Sequence, residues 1–335
     1  MPTASAPHKI ILIGEHAVVH GKVGIAGAID SRVFVKARRG KQGVRVLDPL
    51  GLNNFNNSRN ELSKILSEFR TLYKRGDLEA MKKLDFSDCI RIVVAETLDR
   101  IGWADVEIEM QRRDTLKGIG GSAALWAATA AALGDALGKR LTKEQINEIA
   151  YLGDVVAHGG TPSGIDNSTV VCGGYLKFTK ADGPQPLKID FELPIVIIDS
   201  GEPANTGVTV PYVRKQLEAE PERVKKILDR LHDISNEALD SLVAHNLQEV
   251  GARMTDYYQE LRKLNISTEK LDKIIKIAMD NGALGAKPTG GWGGGVCIAL
   301  VNDAESADEL IRTFHKNNFR AFTTKLGAEG VRLEE

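Results

Sequence analysis

The sequence holds one carboxylate placed as a general base would need to be. Gly159-Gly160-Thr161-Pro162-Ser163-Gly164-Ile165-Asp166-Asn167 ends a rigid turn on Asp166, and Pro with Gly fixes the backbone that carries it. The same spacing also describes an Asx-turn, in which Asp166 bonds only its own backbone. A second segment, Gly118-Ile119-Gly120-Gly121-Ser122-Ala123-Ala124, opens an alanine-rich stretch. Glycines there let backbone N–H groups approach an anion, and a helix N-terminus adds about half a positive charge. Ser122 could cap that helix or bind a metal ion, and a tight turn before a buried helix is the alternative. The pattern is neither G-x-x-x-x-G-K-[ST] nor G-x-G-x-x-G, so phosphate binding of those two kinds is excluded. A third segment, Thr289-Gly290-Gly291-Trp292-Gly293-Gly294-Gly295, is nearly bare backbone, which suits close approach to a ligand more than a sharp bend. Lys9, Glu15 and His16 flank the first apolar run, where a lysine is ordinarily an edge residue with its stem buried and its ammonium in water.

These residues need elements to hold them. Lys9 to Ile13 is apolar and β-branched, with a turn at Gly14-Glu15-His16. Val18-Val19, Gly24 to Ile29 and Arg32 to Arg38 continue a β-rich stretch at strand period. Ser58 and Glu61 have capping-box spacing ahead of Leu62, Ile65, Leu66, Phe69 and Leu72, which recur at helical intervals. The segment from Asn53 to Asp85 as a whole reads as a mobile lid or a surface insertion. A helix is predicted over 89–101, a strand over 106–110, and a helix from the Gly118 segment to about Leu137. Thr142 and Gln145 cap a helix to about His158. Strands are predicted near Thr169-Val170-Val171 and over 175–178. Ala181 to Gln185, which gathers Asp, Gly and Pro, is the best linker. A strand at 193–199, helices at about 207–219, 221–246, 247–264 and 267–281, and a strand at 296–300 complete the order. The fold class is α+β, with domains at 1–188 and 189–335.

Composition narrows the function. The chain has 335 residues, 44 Lys+Arg against 45 Asp+Glu, and a net charge of −1. That balance argues against an obligate nucleic-acid binder, which usually carries a basic excess. The longest apolar run, Ala123 to Leu133, is shorter than the ~20 residues that span a bilayer. No charged segment followed by an apolar one opens the chain as a signal peptide would. Cys89, Cys172 and Cys297 are isolated from one another, which excludes a disulfide scaffold and a cysteine zinc site and fits a reducing cytoplasm.

Taken together, the segments resemble the GHMP kinase superfamily. Ala6-Pro7-His8-Lys9-Ile10-Ile11-Leu12-Ile13-Gly14-Glu15-His16-Ala17-Val18-Val19-His20-Gly21 follows the family's first motif, A-P-G-K-hydrophobic-x-L-x-G-E-H-A-V-V-x-G, with His8 in place of glycine. Gly118 to Ala124 is similar to P-x-G-x-G-L-G-S-S-A-A, with Asp114 to Lys117 replacing the proline-rich entry and Gly121 the first serine. Gly160 to Asn167 resembles G-x-P-S-G-hydrophobic-D-N with one extra residue between His158 and Pro162. Lys287 to Val296 resembles K-x-T-G-A-G-G-G-G-C, with Gly291-Trp292 at the Ala-Gly and Val296 at the Cys.

The resemblance implies a ribosomal-protein-like β-α-β domain followed by a ferredoxin-like domain, with ATP and substrate in the cleft between them. It implies phosphoryl transfer from Mg2+-ATP to a small-molecule hydroxyl in a cytoplasmic kinase, with neither a nucleic acid nor a membrane as partner. Asp166 is then the base or anchor for the accepting hydroxyl, and Lys9 neutralises charge at the γ-phosphate. Lys117, Gly118, Ile119, Gly120, Gly121, Ser122 and Ala123 cradle ATP, and Ser122 with Asp154 holds Mg2+. Glu15, His16, Thr289 and Gly290 meet the acceptor. Glu15-His16-Ala17-Val18-Val19 points to mevalonate and isoprenoid biosynthesis. A phosphorylated mevalonate, a related hydroxy acid, a sugar and a non-catalytic ligand sensor are the alternatives. Family members are often homodimers.

Overall fold

Period-two burial places every even residue of a regular strand on one face, and one irregularity reverses that assignment. The first strand, β1 (Thr3–Ile13), shows this directly, because its register with the next strand shifts between Pro7 and His8. Ala4 and Ala6 lie in the helix-side core, whereas Ile10 and Leu12 lie in a second core shared with the C-terminal half. Lys9 is thereby delivered to the helix side, and without the shift it would face the opposite core.

The computed structural model describes residues 2–111, 118–204 and 206–335. After β1 comes a 3-10 turn at Ala17–His20, where extended chain was expected at Val18-Val19. The chain continues through β2 (Gly24–Arg39), β3 (Val44–Leu47), β4 (Phe55–Asn57), α1 (Arg59–Arg75), α2 (Leu78–Met81), α3 (Phe86–Ile101) and β5 (Val106–Gln111). Then follow α4 (Gly121–Ala136), α5 (Lys143–Ala157), α6 (Ile165–Cys172), β6 (Tyr175–Thr179) and β7 (Gly183–Leu187). The C-terminal half holds β8 (Ile195–Asp199), α7 (Thr206–Ala219), α8 (Pro221–Val243), α9 (Leu247–Arg262), α10 (Glu269–Asp280), β9 (Gly285–Thr289), β10 (Val296–Leu300), α11 (Ala304–Lys316), β11 (Arg320–Thr323) and β12 (Arg332–Glu334).

Two sheets result. The first runs β12-β1-β2-β5-β3-β4, with β6 paired to β2 and β7 to β6, and among the described residues only the β3–β5 pairing is parallel. The second runs β11-β8-β10-β9, all antiparallel, with helices between β8 and β9 and between β10 and β11. That strand order is ferredoxin-like, as the resemblance implied. The chain's last strand leaves the second sheet and pairs with β1.

Ser58 with Glu61 and Thr142 with Gln145 each form a full capping box, as the sequence indicated; Asp85 with Asp88 forms a third that was not anticipated and starts α3 three residues before Cys89. Each satisfies N–H groups that a helix start leaves open. The 53–85 segment is ordered rather than a loop, since α1 buries Leu62, Leu66 and Phe69 in the helix-side core. Two further expectations are corrected. Thr169-Val170-Val171 is helical, not extended. Packing overrides its β-branched composition, because α6 is buried and Thr169 Oγ1 returns a hydrogen bond to the Ile165 carbonyl at 2.6 Å. Ala181 to Gln185 is no linker but a hairpin turn and part of β7, with Thr179 and Asp182 closing it.

Candidate active site

Lys9 and Asp166 form an ion pair of 2.8 Å at the junction of β1 and the first turn of α6. Lys9 is 1% exposed and the Asp166 side chain 26%. Asp166 therefore opens onto a cavity while its lysine lies behind it. The expectation of an edge lysine with a solvated ammonium does not hold for Lys9. The cavity wall includes Glu15, His16, Asp154, His158, Asp166 and Gly290. Gly120, at φ +74°, lies against the Lys9 stem, and a Cβ there would stand 2.8 Å from Lys9 Cγ. Only glycine fits both the conformation and the contact. Lys9 N–H also donates to the Ile119 carbonyl at 2.8 Å. The Gly118 loop is thus folded directly onto the lysine.

That loop leads into α4, whose N-cap is Gly120 with no side-chain cap. Ser122 lies within the helix and does not cap it. The first N–H groups of α4 therefore have no side-chain acceptor at their start, which is the arrangement that binds anions. Gly121 faces the His8 ring, whose Nδ1 lies 3.0 Å from Ser31 Oγ. Ala123 is buried in the helix-side core. Lys117 lies outside the described residues. Gly290 approaches Gly118 so closely that its Cβ would be 3.0 Å from the Gly118 carbonyl oxygen, so the second and third glycine segments meet.

Asp154, on α5, is 1% exposed, and its Oδ2 has no hydrogen-bond partner. Burial first, and then the charge of Asp166, raise its carboxyl well above the usual range. Its carbonyl receives His158 Nδ1–H at 2.9 Å, turning that imidazole along the cavity wall.

The turn after β1 is tied down on several sides. His16 sits at φ +60° and burial lowers its pKa to about 4, so it is neutral near pH 7. Its Nε2–H donates to the Gly291 carbonyl at 3.1 Å, which leaves Nδ1 as an acceptor. The Gly291 carbonyl also receives Thr209 Oγ1–H at 2.6 Å. Thr289 is buried, and its hydroxyl is occupied by the Ile11 N–H and carbonyl, both at 2.9 Å. It joins β9 to β1 and does not turn its hydroxyl to the cavity. Trp292 is fully buried at φ +63° and packs on Tyr258 with ring centroids 5.9 Å apart. It belongs to the core and not to the cavity wall.

Three residues had no role assigned from the sequence. Lys287 forms a sealed ion pair with Glu15. Tyr257 donates its hydroxyl to the Glu15 carbonyl at 2.8 Å. Arg214, on α7, donates to Thr161 Oγ1 at 2.7 Å in the groove that continues the cavity past His158. Arg214 and Lys180 both depress the protonation of His20, after burial. Lys287 was visible within the third motif, but nothing local marks Tyr257 or Arg214, which lie on amphipathic helices.

Comparison with known proteins adds the following. The GHMP kinases N terminal domain family matches residues 88–174, and the GHMP kinases C terminal family matches 238–321. Mevalonate kinase of Pyrococcus horikoshii is 32% identical over 99% of this chain and 97% of its own. The crystal structure of Methanococcus jannaschii mevalonate kinase superposes with a TM-score of 0.78 at 25% identity, covering 97% of this chain and 98% of that one. L. major mevalonate kinase, solved in complex with R-mevalonate, gives a TM-score of 0.74 at 24% identity over 97% and 95%, a likeness of fold alone.

Proposed function

The chain belongs to the GHMP kinase family, and from that membership we propose that it transfers the γ-phosphoryl group of ATP to the 5-hydroxyl of mevalonate. The observation that carries this is the Lys9–Asp166 pair, whose carboxylate lines the cavity while its lysine is sealed behind it. The acceptor hydroxyl is held against Asp166, which takes its proton as the oxygen attacks the γ-phosphorus and ADP leaves. Phosphoryl transfer proceeds through a loose transition state with charge on the equatorial oxygens, so position and counter-charge supply most of the catalysis. Lys9 contributes that charge from a site where it cannot be hydrated. Main-chain N–H groups at the start of α4 hold the phosphates.

The residues present suit magnesium. Asp154 has a buried carboxylate oxygen without a partner, close enough to Asp166 to be disfavoured as an anion, and a divalent cation removes both penalties. Asp154 and Ser122 would hold it, and when bound it would neutralise the β- and γ-phosphates.

The acceptor is an acid rather than a sugar. Burial first, and then the positive charge of Arg214, make His20 and Lys180 less basic, and an anionic acceptor beside them would relieve that repulsion. Purified protein should release ADP from Mg2+-ATP with mevalonate and not with phosphomevalonate or galactose. Preference for either of the latter removes mevalonate as the acceptor. ATP turnover with none of the three removes the acceptor class.

A further inference from the structure

The turn that carries Glu15 is fixed more firmly than a surface turn requires. Tyr257 holds the Glu15 carbonyl, His16 is bonded to the Gly291 carbonyl, and Lys287 takes Glu15 Oε1. Neither side chain of the Lys287–Glu15 pair is exposed. Lys287 Nζ also donates to the Ile11 carbonyl at 3.4 Å and stands 6.0 Å from the Tyr257 ring centre. That ammonium thus joins the Glu15 turn to the end of β1. The other carboxylate oxygen, Glu15 Oε2, is buried and has no partner, yet Glu15 is part of the cavity wall. A buried acceptor left unmade is costly and rare. On a cavity wall, the group that satisfies it is a donor on the ligand.

We propose that Lys287 is a positioning residue for the acceptor: it fixes Glu15 Oε1 so that Oε2 receives a hydrogen bond from the hydroxyl that is not phosphorylated. This rests on the mevalonate reading above, since mevalonate carries a second hydroxyl for Oε2 to bind. Burial pushes the Glu15 carboxyl up, and the charge of Lys287 is the largest force opposing that.

The test is steady-state kinetics on the full chain with two acceptors, mevalonate and 5-hydroxy-3-methylpentanoate, which lacks the second hydroxyl. Lys287→Met should raise KM for mevalonate about tenfold to a hundredfold, the range lost when one hydrogen bond to a charged group is broken. KM for ATP should stay within about twofold. With the deoxy acceptor the same variant should lose no further affinity. If Lys287→Met does not fold, Glu15→Gln and the double variant Lys287→Met/Glu15→Gln carry the test, because removing both charges leaves no buried ion. Their KM values for mevalonate should coincide, as they must if Lys287 acts only through Glu15. An unchanged KM for mevalonate in Lys287→Met overturns the proposal, as does an equal loss with the deoxy acceptor or an additive loss in the double variant. Failure of the acceptor reading itself would show separately, as absence of mevalonate turnover in the wild type.

Discussion

Two buried lysines each hold a carboxylate, and the pairs differ in where they end. In Lys9–Asp166 the lysine is sealed and the carboxylate is open, at 1% and 26% exposure. In Lys287–Glu15 both side chains are sealed at 0%. A half-open carboxylate with a buried counter-ion can exchange a proton with a ligand and keep its place, whereas a pair buried at both ends is held still and can serve to orient. The first pair joins β1 to α6 within the N-terminal half, beside the start of α4, which has no side-chain cap. The second joins the turn after β1 to β9 and so ties the two sheets together. One pair is therefore placed for chemistry and the other for the geometry of the pocket.

Substitutions should separate the two. Lys9→Met should lower kcat about 10²–10³-fold, the range for removing a fixed electrostatic stabiliser, with mevalonate still bound. Stopped-flow ADP release checks it, and a loss below tenfold would leave Lys9 a structural residue. Lys287→Met should leave the chemical step alone and, besides raising KM for mevalonate, destabilise the fold by about 3–5 kcal/mol, because breaking a buried ion pair strands its partner. Urea unfolding should show most of that loss recovered in Lys287→Met/Glu15→Gln. Arg214→Gln should raise KM for mevalonate about tenfold and leave KM for ATP unchanged, because a single charge-assisted contact is worth about 1.5–3 kcal/mol. Equal shifts in both would place Arg214 in the scaffold.

A pH effect at His16 has a definite sign. The folded imidazole stays neutral to about pH 4, while in the unfolded chain it takes a proton near the ordinary 6.5. Between those values the unfolded state binds more protons, so the stability contributed is complete above pH 6.5 and is lost as pH falls toward 4. The total is about 3 kcal/mol. Urea midpoints between pH 7 and 4.5 should fall less steeply for His16→Gln than for the wild type.

Much of this was legible in the chain. Ser58, Thr142 and the period of Leu62, Leu66 and Phe69 announced their helices, because caps and apolar spacing act locally. Lys9 and Asp166 were identified through motifs, although their separation by 157 positions gives no local sign that they touch. Composition misled at Thr169 to Val171, where burial against α4 and α5 decides for a helix, and at Ala181 to Gln185, where turn residues close a hairpin. The register shift at Pro7/His8 was not legible at all, and it determines which face Lys9 occupies. Arg214 and Tyr257 come to the site only through tertiary packing. Trp292, placed where the family carries glycine, could have narrowed the pocket. Its burial against Tyr258 makes it a core residue.

The central claim is that Asp166 is the open end of a reactive ion pair. The direct measurement is mevalonate-dependent ADP release by Asp166→Asn, a substitution of equal size, set beside the wild type at matched melting temperature and ATP affinity. The account gives a turnover about 10²–10⁴-fold lower, the contribution of a positioned base, with Kd for ATP within about twofold. A variant that turns over mevalonate within a few-fold of the wild type would contradict it.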